Sequence, residues 1–319
     1  MLSFGCGEDI SFDVAMAATY DIQVYLFDPT PRAKVHVESV LKAIATKYAP
    51  QKSKHKRGDH YVAVDGEEHE ISDKVDARGF FDKIVQSNVD RSQFHYEPWA
   101  LSDKDGEMSF MSPKSGVSHV FSAVGRDKSN MEGEITVPVK SMASILKLKH
   151  IRKVDLIKID IEGYENKVIP GMLELIKTWP IEDWPKVLMF DFDSMLSGHA
   201  AEDQAGGRKS VALVEAMGYS VFSGSPMHPD YTFVLNPTVA KAKHCSGLKD
   251  DNVALQKKFG SNYSCAMVKS RYFCTNKQWT AIIEQYCKKT CACALTVATE
   301  SKMRAAEDAK VTMGCARCC

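Results

Sequence analysis

The sequence lacks several features that point to common classes of protein. Lysine plus arginine and aspartate plus glutamate each number 41 among 319 residues, so no basic excess indicates nucleic-acid binding. No stretch is long and apolar enough to span a bilayer. No secretory signal peptide follows Met1, because a predicted strand begins there. The length suits one domain of ordinary size with a small appendage.

Cysteine is almost absent from the first 244 residues and is then concentrated. Only Cys6 lies in that part, whereas nine cysteines follow from Cys245 onward. A dense cysteine cluster in a short segment indicates a disulfide framework in an oxidising compartment, or a metal site in a reducing one. Zinc is the weaker alternative, because the spacings do not give two CxxC pairs. We predict a domain boundary near Pro237 to His244.

A strand that ends in acidic residues is the first candidate site. The apolar run over residues 154–161 predicts a buried strand, and it leads directly into Glu162 and Gly163. Ligands bind outside the carboxyl ends of strands in open α/β sheets, so Asp160 and Glu162 fall where a site is expected. The alternative is a solvated turn whose acidic residues begin the next helix.

The first residues predict a second part of the same site. A short strand ends in a turn with Gly5 and Gly7, a helix follows, and a second strand over residues 23–27 ends in Asp28. Glycines let a ligand approach the backbone closely, and an acid about 20 residues on can hydrogen-bond a ribose hydroxyl pair. The pattern indicates a nucleoside site. Ile10 replaces the third glycine of GxGxxG, which argues against a nicotinamide dehydrogenase.

The rest of the first 236 residues alternates between predicted strands and helices, which is typical of an α/β fold. No helix separates the last two strands, so we expect them to form an antiparallel pair at the sheet edge. Pro170 is expected to kink or split the helix after Gly163. Further strands are predicted over residues 61–64, 94–101, 107–111, 117–123, 135–139, 185–190, 219–222 and 231–235, with helices over 32–48, 79–88 and 206–217.

Three motifs in this order resemble those of FkbM-type, S-adenosylmethionine-dependent methyltransferases. They are SFGCGEDISF over residues 3–12, FDPTP over residues 27–31 and LIKIDIEG over residues 156–163. The first motif has the form found in the eukaryotic methyltransferase-like branch. The resemblance covers about residues 1–236. It implies a Rossmann-like class I methyltransferase sheet of seven strands, mostly parallel with an antiparallel last strand.

The resemblance also assigns roles to residues. Methyl transfer to a hydroxyl oxygen of a small-molecule or glycan acceptor is the implied reaction, and it requires removal of the acceptor proton. Relatives often carry Glu or His near Asp191, so Glu162, Glu165 and Asp191 all remain candidates for the general base. The implied cofactor-binding residues are Gly5 and Gly7 for the methionine portion, Asp28 for the ribose, Ala100 and Leu101 for the adenine, and Glu8. Asp160 is implied near the methyl group, as both a cofactor-binding and a catalytic residue.

Two alternatives to this mechanism and function remain open. Asp160, Asp191 and Asp193 are hard oxygen ligands at neighbouring strand ends, which makes a magnesium-assisted reaction a minority alternative. The alternative function is that of a secreted, non-catalytic binding protein that acts through its cysteine-rich part.

Residues 245–293 resemble a ShK-type (ShKT) module, a small disulfide-rich α module appended to many enzymes, and a candidate site for a protein partner. Its last two cysteines are one residue apart, whereas the family usually ends in CxxC. About 49 residues bury little apolar surface, so disulfides would decide whether the module folds. The pairing that the resemblance implies is Cys245 with Cys293, Cys265 with Cys287, and Cys274 with Cys291.

We divide the chain into a methyltransferase domain over residues 1–240, a ShKT-like module over 245–293 and a polar, cysteine-ending tail over 294–319. The cysteine-rich module favours the secretory lumen or the cell exterior. Relatives usually carry additional sequence before the first strand, so we expect an N-terminal signal or anchor to be missing from this sequence.

Overall fold

The computed structural model describes residues 1–47, 51–52, 60–62, 68–70, 84, 86–113, 131–196, 200–225 and 228–240. The chain forms two compact units, one of Met1–Glu215 with Ser220–Leu235, and one of Ala216–Tyr219 with Asn236–Cys319. The predicted ShKT-like module and tail lie outside the described residues, as do the strand predicted over 117–123 and residues 79–83 and 85 of the helix predicted over 79–88. Every helix in the described part of the chain is too short or too polar to cross a bilayer.

The described residues form thirteen strands and five α-helices. The strands are β1 (Leu2–Phe4), β2 (Val24–Phe27), β3 (Gln51–Lys52), β4 (His60–Val62), β5 (Glu68–Glu70), β6 (Phe94–Glu97), β7 (Ala100–Ser102), β8 (Gly106–Pro113), β9 (Met131–Ser141), β10 (Leu156–Ile159), β11 (Val187–Asp191), β12 (Tyr219–Ser225) and β13 (His228–Leu235). The helices are α1 (Ser11–Tyr20), α2 (Pro31–Thr46), α3 (Met142–Leu148), α4 (Glu165–Lys177) and α5 (Ala201–Met217).

Seven of the strands form the central sheet, in the order β12-β13-β11-β10-β1-β2-β6. The pairs from β11 across to β6 are parallel, and β13 runs antiparallel to β11. These pairings confirm the predicted α/β fold with a mostly parallel sheet and an antiparallel last strand. The chain runs from β1 outward through β2 to β6, and later returns to place β10 on the other side of β1. A topological switch point therefore lies between β1 and β10, where ligands of such sheets bind.

The central strands are apolar because both faces of the sheet are covered. Leu2 and Phe4 of β1 and Ile157 and Ile159 of β10 are all at least 99% buried. Helix α4 covers part of this core with Val168, Ile169, Met172, Leu173 and Ile176. Burial of a side chain of this size stabilises the fold by roughly 1.5–3 kcal/mol, so the strands that carry the site are anchored by the core.

Two details of the predicted elements are wrong. The strand predicted over residues 94–101 is divided, since β6 ends at Glu97 and β7 joins a separate sheet of order β7-β9-β8. Pro98 has no amide hydrogen to donate to a neighbouring strand, which explains the break. Helix α4 is continuous through Pro170, so the split that the sequence allowed is wrong, while the alternative of a kink stays a prediction. Its buried apolar face outweighs the single backbone hydrogen bond that Pro170 removes.

Candidate functional site

A cavity of about 470 Å³ lies beside the switch point, where the carboxyl ends of β1, β2, β10 and β11 meet. Its volume is in the usual range for small-molecule sites. Of the ten sequence-predicted cofactor-binding and catalytic residues, Glu165 does not line it. The other nine do, although they come from widely separated segments: Gly5, Gly7, Glu8, Asp28, Ala100, Leu101, Asp160, Glu162 and Asp191.

Glycine is required at position 5 because the backbone of another segment lies too close for a side chain. The φ of Gly5 is +75°, and a Cβ atom placed on it would lie 1.6 Å from the carbonyl oxygen of Asp160. Its N–H donates to the carbonyl of Phe27 at 3.0 Å, while the N–H of Asp160 donates to the carbonyl of Phe4 at 3.0 Å. The turn after β1 is thereby held between β2 and the end of β10.

Gly7 is the glycine that leaves room for a ligand. Its φ is +54°, and no heavy atom lies within 4 Å of the position that a Cβ atom would occupy. Its N–H donates to Oδ2 of Asp28 at 2.9 Å. The predicted close approach of a ligand to the glycine turn therefore fits Gly7 better than Gly5.

Asp28 is 5% exposed, and its carboxylate already serves the surrounding loop. Oδ2 accepts from Gly7 N–H, and Oδ1 accepts from both the N–H and the hydroxyl of Thr30 at 2.9 and 2.7 Å. Burial raises the pKa of Asp28, and these hydrogen bonds oppose that rise. A carboxylate oxygen can accept two hydrogen bonds, so Oδ2 of Asp28 keeps one further acceptor position.

Glu8 is oriented by a basic side chain at the start of α2. Its Oε1 lies 2.9 Å from Nε of Arg32, and Glu8 is 6% exposed. Its carboxylate is therefore fixed at the edge of the cavity. The sequence prediction placed Glu8 at the site but missed this partner, which lies 24 residues further along the chain.

One wall of the cavity is apolar and comes from the small sheet. Ala100 and Leu101 of β7 are 7% and 4% exposed, and Met108 and Phe110 of β8 lie beside the same cavity. Sequence reasoning missed Met108 and Phe110. Their i, i+2 spacing in a predicted strand places them on one face, and that signal was available in the sequence.

Lys158 is a polar residue in an otherwise apolar strand, and sequence reasoning missed it as well. It stands opposite Ser3 in the sheet and lines the cavity, and its Nζ lies 3.1 Å from Oδ2 of Asp160. Burial alone would lower the pKa of Lys158, but the carboxylates of Asp160 and Asp13 outweigh that effect and raise it. Asp13 of α1 is 1% exposed, and burial raises its pKa to about 6. An ammonium group therefore fixes Asp160 at the end of β10.

Asp191, the last residue of β11, has the acid–base properties that a general base needs. Burial, together with the charges of Asp160 and Asp193, raises its pKa to about 7. Its Oδ1 is buried and has no hydrogen-bond partner among the described residues. A carboxylate that faces a ligand cavity with a pKa near neutrality is suited to accept a proton.

The other two base candidates lie in and after the turn that follows β10. Glu162 lines the cavity and has a φ of +60°. Glu165 is fully buried, and its Oε1 accepts the N–H of Ile161 at 2.8 Å. Burial raises the pKa of Glu165 to about 8. Because Glu165 does not line the cavity, the structure favours the other two carboxylates for direct contact with a ligand.

The magnesium alternative finds no support in the described ranges. They contain no group of three or more His, Cys, Asp or Glu side chains placed to hold a metal ion. Asp160, Asp191 and Asp193 accordingly form no such group, although they lie near the ends of neighbouring strands.

Comparison with known proteins identifies the family of the chain. The model of the methyltransferase FkbM domain matches residues 9–184, which is more than half of the chain. The matched range contains Asp28, Asp160 and Glu162, while Gly5, Gly7 and Asp191 lie outside it. Searches of curated proteins and of solved structures return no significant match. With its parallel sheet and a cavity at the switch point, the chain belongs to the FkbM methyltransferase domain family.

Proposed function

We propose that the protein transfers a methyl group from S-adenosylmethionine to a hydroxyl oxygen of a small-molecule or glycan acceptor. One observation carries the proposal: the open backbone at Gly7, the acceptor position on Asp28 and the raised pKa of Asp191 belong to one cavity at the switch point of the sheet.

The residues of the cavity fit the cofactor. The space beside Gly7 accommodates the methionine portion, and Oδ2 of Asp28 accepts from one ribose hydroxyl. Ala100 and Leu101 offer an apolar surface for the adenine ring. The described lining residues include six carboxyl groups and one ammonium group, a balance that favours a positively charged sulfonium.

When bound, S-adenosylmethionine supplies a methyl group activated by a positively charged sulfur. The chain then has to align the acceptor and remove its proton, and alignment contributes the larger share of the rate. Asp191 would accept the proton of the acceptor hydroxyl while its oxygen takes the methyl group, the sulfur–methyl bond breaks and adenosylhomocysteine leaves. Asp160 is held at the end of β10 by Lys158, whose Nζ lies 3.1 Å from its Oδ2.

Thermal unfolding with adenosylhomocysteine tests the proposal. A ligand at 100 times its dissociation constant stabilises the folded state by about 2.7 kcal/mol, so the melting temperature is expected to rise with adenosylhomocysteine and not with NAD. Gly7→Val is the matched control. Its side chain would project into open space, and the left-handed φ adds a strain of roughly 1–3 kcal/mol, so it is expected to fold with a lower melting temperature and to lose the shift. The proposal is wrong if adenosylhomocysteine leaves the wild-type melting temperature unchanged.

A further inference from the structure

The turn after β10 presents two carboxylates to the cavity in an unusual backbone conformation. Asp160 and Glu162 line the cavity, and Glu162 and Gly163 have φ values of +60° and +100°. A non-glycine residue in the left-handed region costs roughly 1–3 kcal/mol and persists only where its surroundings hold it. Contacts around the turn must therefore stabilise this conformation.

Glu165 provides one such contact from the first position of α4. Its Oε1 accepts the N–H of Ile161 at 2.8 Å, which closes the turn across four residues. Tyr164 attaches the far side of the turn, since its hydroxyl donates to Oδ1 of Asp103 at 3.3 Å. Glu165 thus connects the start of the helix to the backbone between the two cavity carboxylates.

The second oxygen of Glu165 has a different environment. Oε2 is buried and has no hydrogen-bond partner among the described residues. The charged groups that act on Glu165 are Asp160 at the end of β10 and Asp191 at the end of β11, and both are acidic. A buried carboxylate with one oxygen lacking a partner, beside two acidic groups, is disfavoured, whereas a neutral carboxyl group still accepts from Ile161.

We propose that Glu165 is a positioning residue that, as a neutral carboxyl group, holds the turn so that Asp160 and Glu162 face the cavity. The inference rests on the proposed function, because these two side chains belong to the proposed cofactor site. Loss of the Glu165 proton would place a third negative charge beside Asp160 and Asp191 and would disfavour the turn. The pKa of about 8 places this loss just above neutral pH.

The experiment compares wild type, Glu165→Gln and Glu165→Ala. Adenosylhomocysteine affinity is measured by calorimetry between pH 6 and pH 9.5. Glutamine keeps the oxygen that accepts from Ile161 and cannot ionise, so Glu165→Gln is expected to match wild type at pH 6. Above pH 8 the wild-type affinity is expected to fall, by up to about tenfold per pH unit, relative to that of Glu165→Gln. Glu165→Ala is expected to bind at least about fivefold more weakly at every pH.

Identical pH profiles for wild type and Glu165→Gln would overturn the inference, as would wild-type affinity in Glu165→Ala. If Glu165→Ala does not fold, the comparison of wild type with glutamine still decides. If none of the three proteins binds adenosylhomocysteine at pH 7, the proposed function fails. The role of Glu165 is then judged from the free energy of unfolding measured without ligand. Between pH 7 and pH 9 the free energy of unfolding of wild type is expected to fall relative to that of Glu165→Gln. If it does not fall, the positioning role is wrong as well.

Discussion

The carbonyl oxygen of Asp160 lies 1.6 Å from the point that a Cβ atom on residue 5 would occupy. The turn after β1 and the end of β10 are therefore in direct backbone contact. A hydrogen bond from Asp160 N–H to Phe4 O at 3.0 Å reinforces this contact. Because the backbone of β10 contacts this turn at Gly5 and leaves Gly7 open, stability and ligand binding are separable at the two glycines.

Gly5→Ala is expected to lower stability, whereas Gly7→Ala is expected mainly to weaken ligand binding. Alanine at position 5 clashes with the Asp160 backbone, and we expect a loss of about 3 kcal/mol or more in the free energy of unfolding, measured in urea. Alanine at position 7 meets open space and bears only the left-handed φ, a cost of roughly 1 kcal/mol. Its main effect should be weaker adenosylhomocysteine binding. Equal destabilisation by the two substitutions would contradict this assignment.

Asp28→Asn tests the carboxylate that connects the two loops. Three donors point at Asp28, from Gly7 and Thr30, and an asparagine side chain has one oxygen to receive them. One donor then faces the NH2 group of the asparagine side chain. We therefore expect the free energy of unfolding to fall by about 1–3 kcal/mol and adenosylhomocysteine binding to weaken. Thermal unfolding and calorimetry measure the two effects.

Thr30→Val is the control for Asp28→Asn. It removes the hydroxyl donor to Asp28 and leaves the backbone N–H donors of Gly7 and Thr30 in place. We expect it to cost less stability than Asp28→Asn and to keep most of the affinity. If Thr30→Val binds adenosylhomocysteine as weakly as Asp28→Asn does, the hydrogen bond between Gly7 and Asp28 does not account for the affinity.

The elements that carry the site were predictable because they are local in sequence. Strands β1, β2 and β10 appear as apolar runs, since parallel strands are buried on both faces, and Asp28 and Asp160 follow directly where two of the runs end. The switch point then brings these strand ends together. Strand order and family resemblance were sufficient to place the predicted site residues around one cavity, with the exception of Glu165.

Other features depend on contacts between distant residues and leave no local pattern. Arg32 pairs with Glu8 across 24 residues, and the requirement for glycine at position 5 comes from the backbone of Asp160. The burial of Asp13 follows from the docking of α1 on the sheet, which an acidic residue in a helix does not predict. Such contacts exist only after the sheet has assembled.

Asp13→Asn should change how stability depends on pH. The pKa of Asp13 is raised from 3.8 to about 6 in the folded state, so its neutral form contributes stability that is present below pH 3.8 and is lost as pH rises through about 6. Asparagine does not ionise, so the Asp13→Asn variant does not lose this stability as the pH rises. Between pH 4 and pH 8 the free energy of unfolding of Asp13→Asn should therefore rise by about 3 kcal/mol relative to wild type. Parallel urea titrations at the two pH values would refute this if the difference stayed constant.

Asp191→Asn addresses the proton acceptor. If Asp191 is the general base, its replacement should lower kcat by about 10²–10⁴-fold, because an amide cannot take the hydroxyl proton. Wild-type kcat should rise with pH through about 7, as the Asp191 carboxyl loses its proton, and this rise should be missing in the variant. Transfer of labelled methyl from S-adenosylmethionine to a panel of hydroxyl-bearing sugars provides the rate.

Asp193→Asn and Glu162→Gln separate Asp191 from its neighbours. The charge of Asp193 helps to raise the pKa of Asp191, so its removal should move the rise in kcat to lower pH and leave the plateau rate close to that of wild type. Glu162 is the other base candidate that lines the cavity. If Glu162→Gln abolishes the pH-dependent rise while Asp191→Asn retains it, proton removal belongs to the turn after β10 and not to the end of β11.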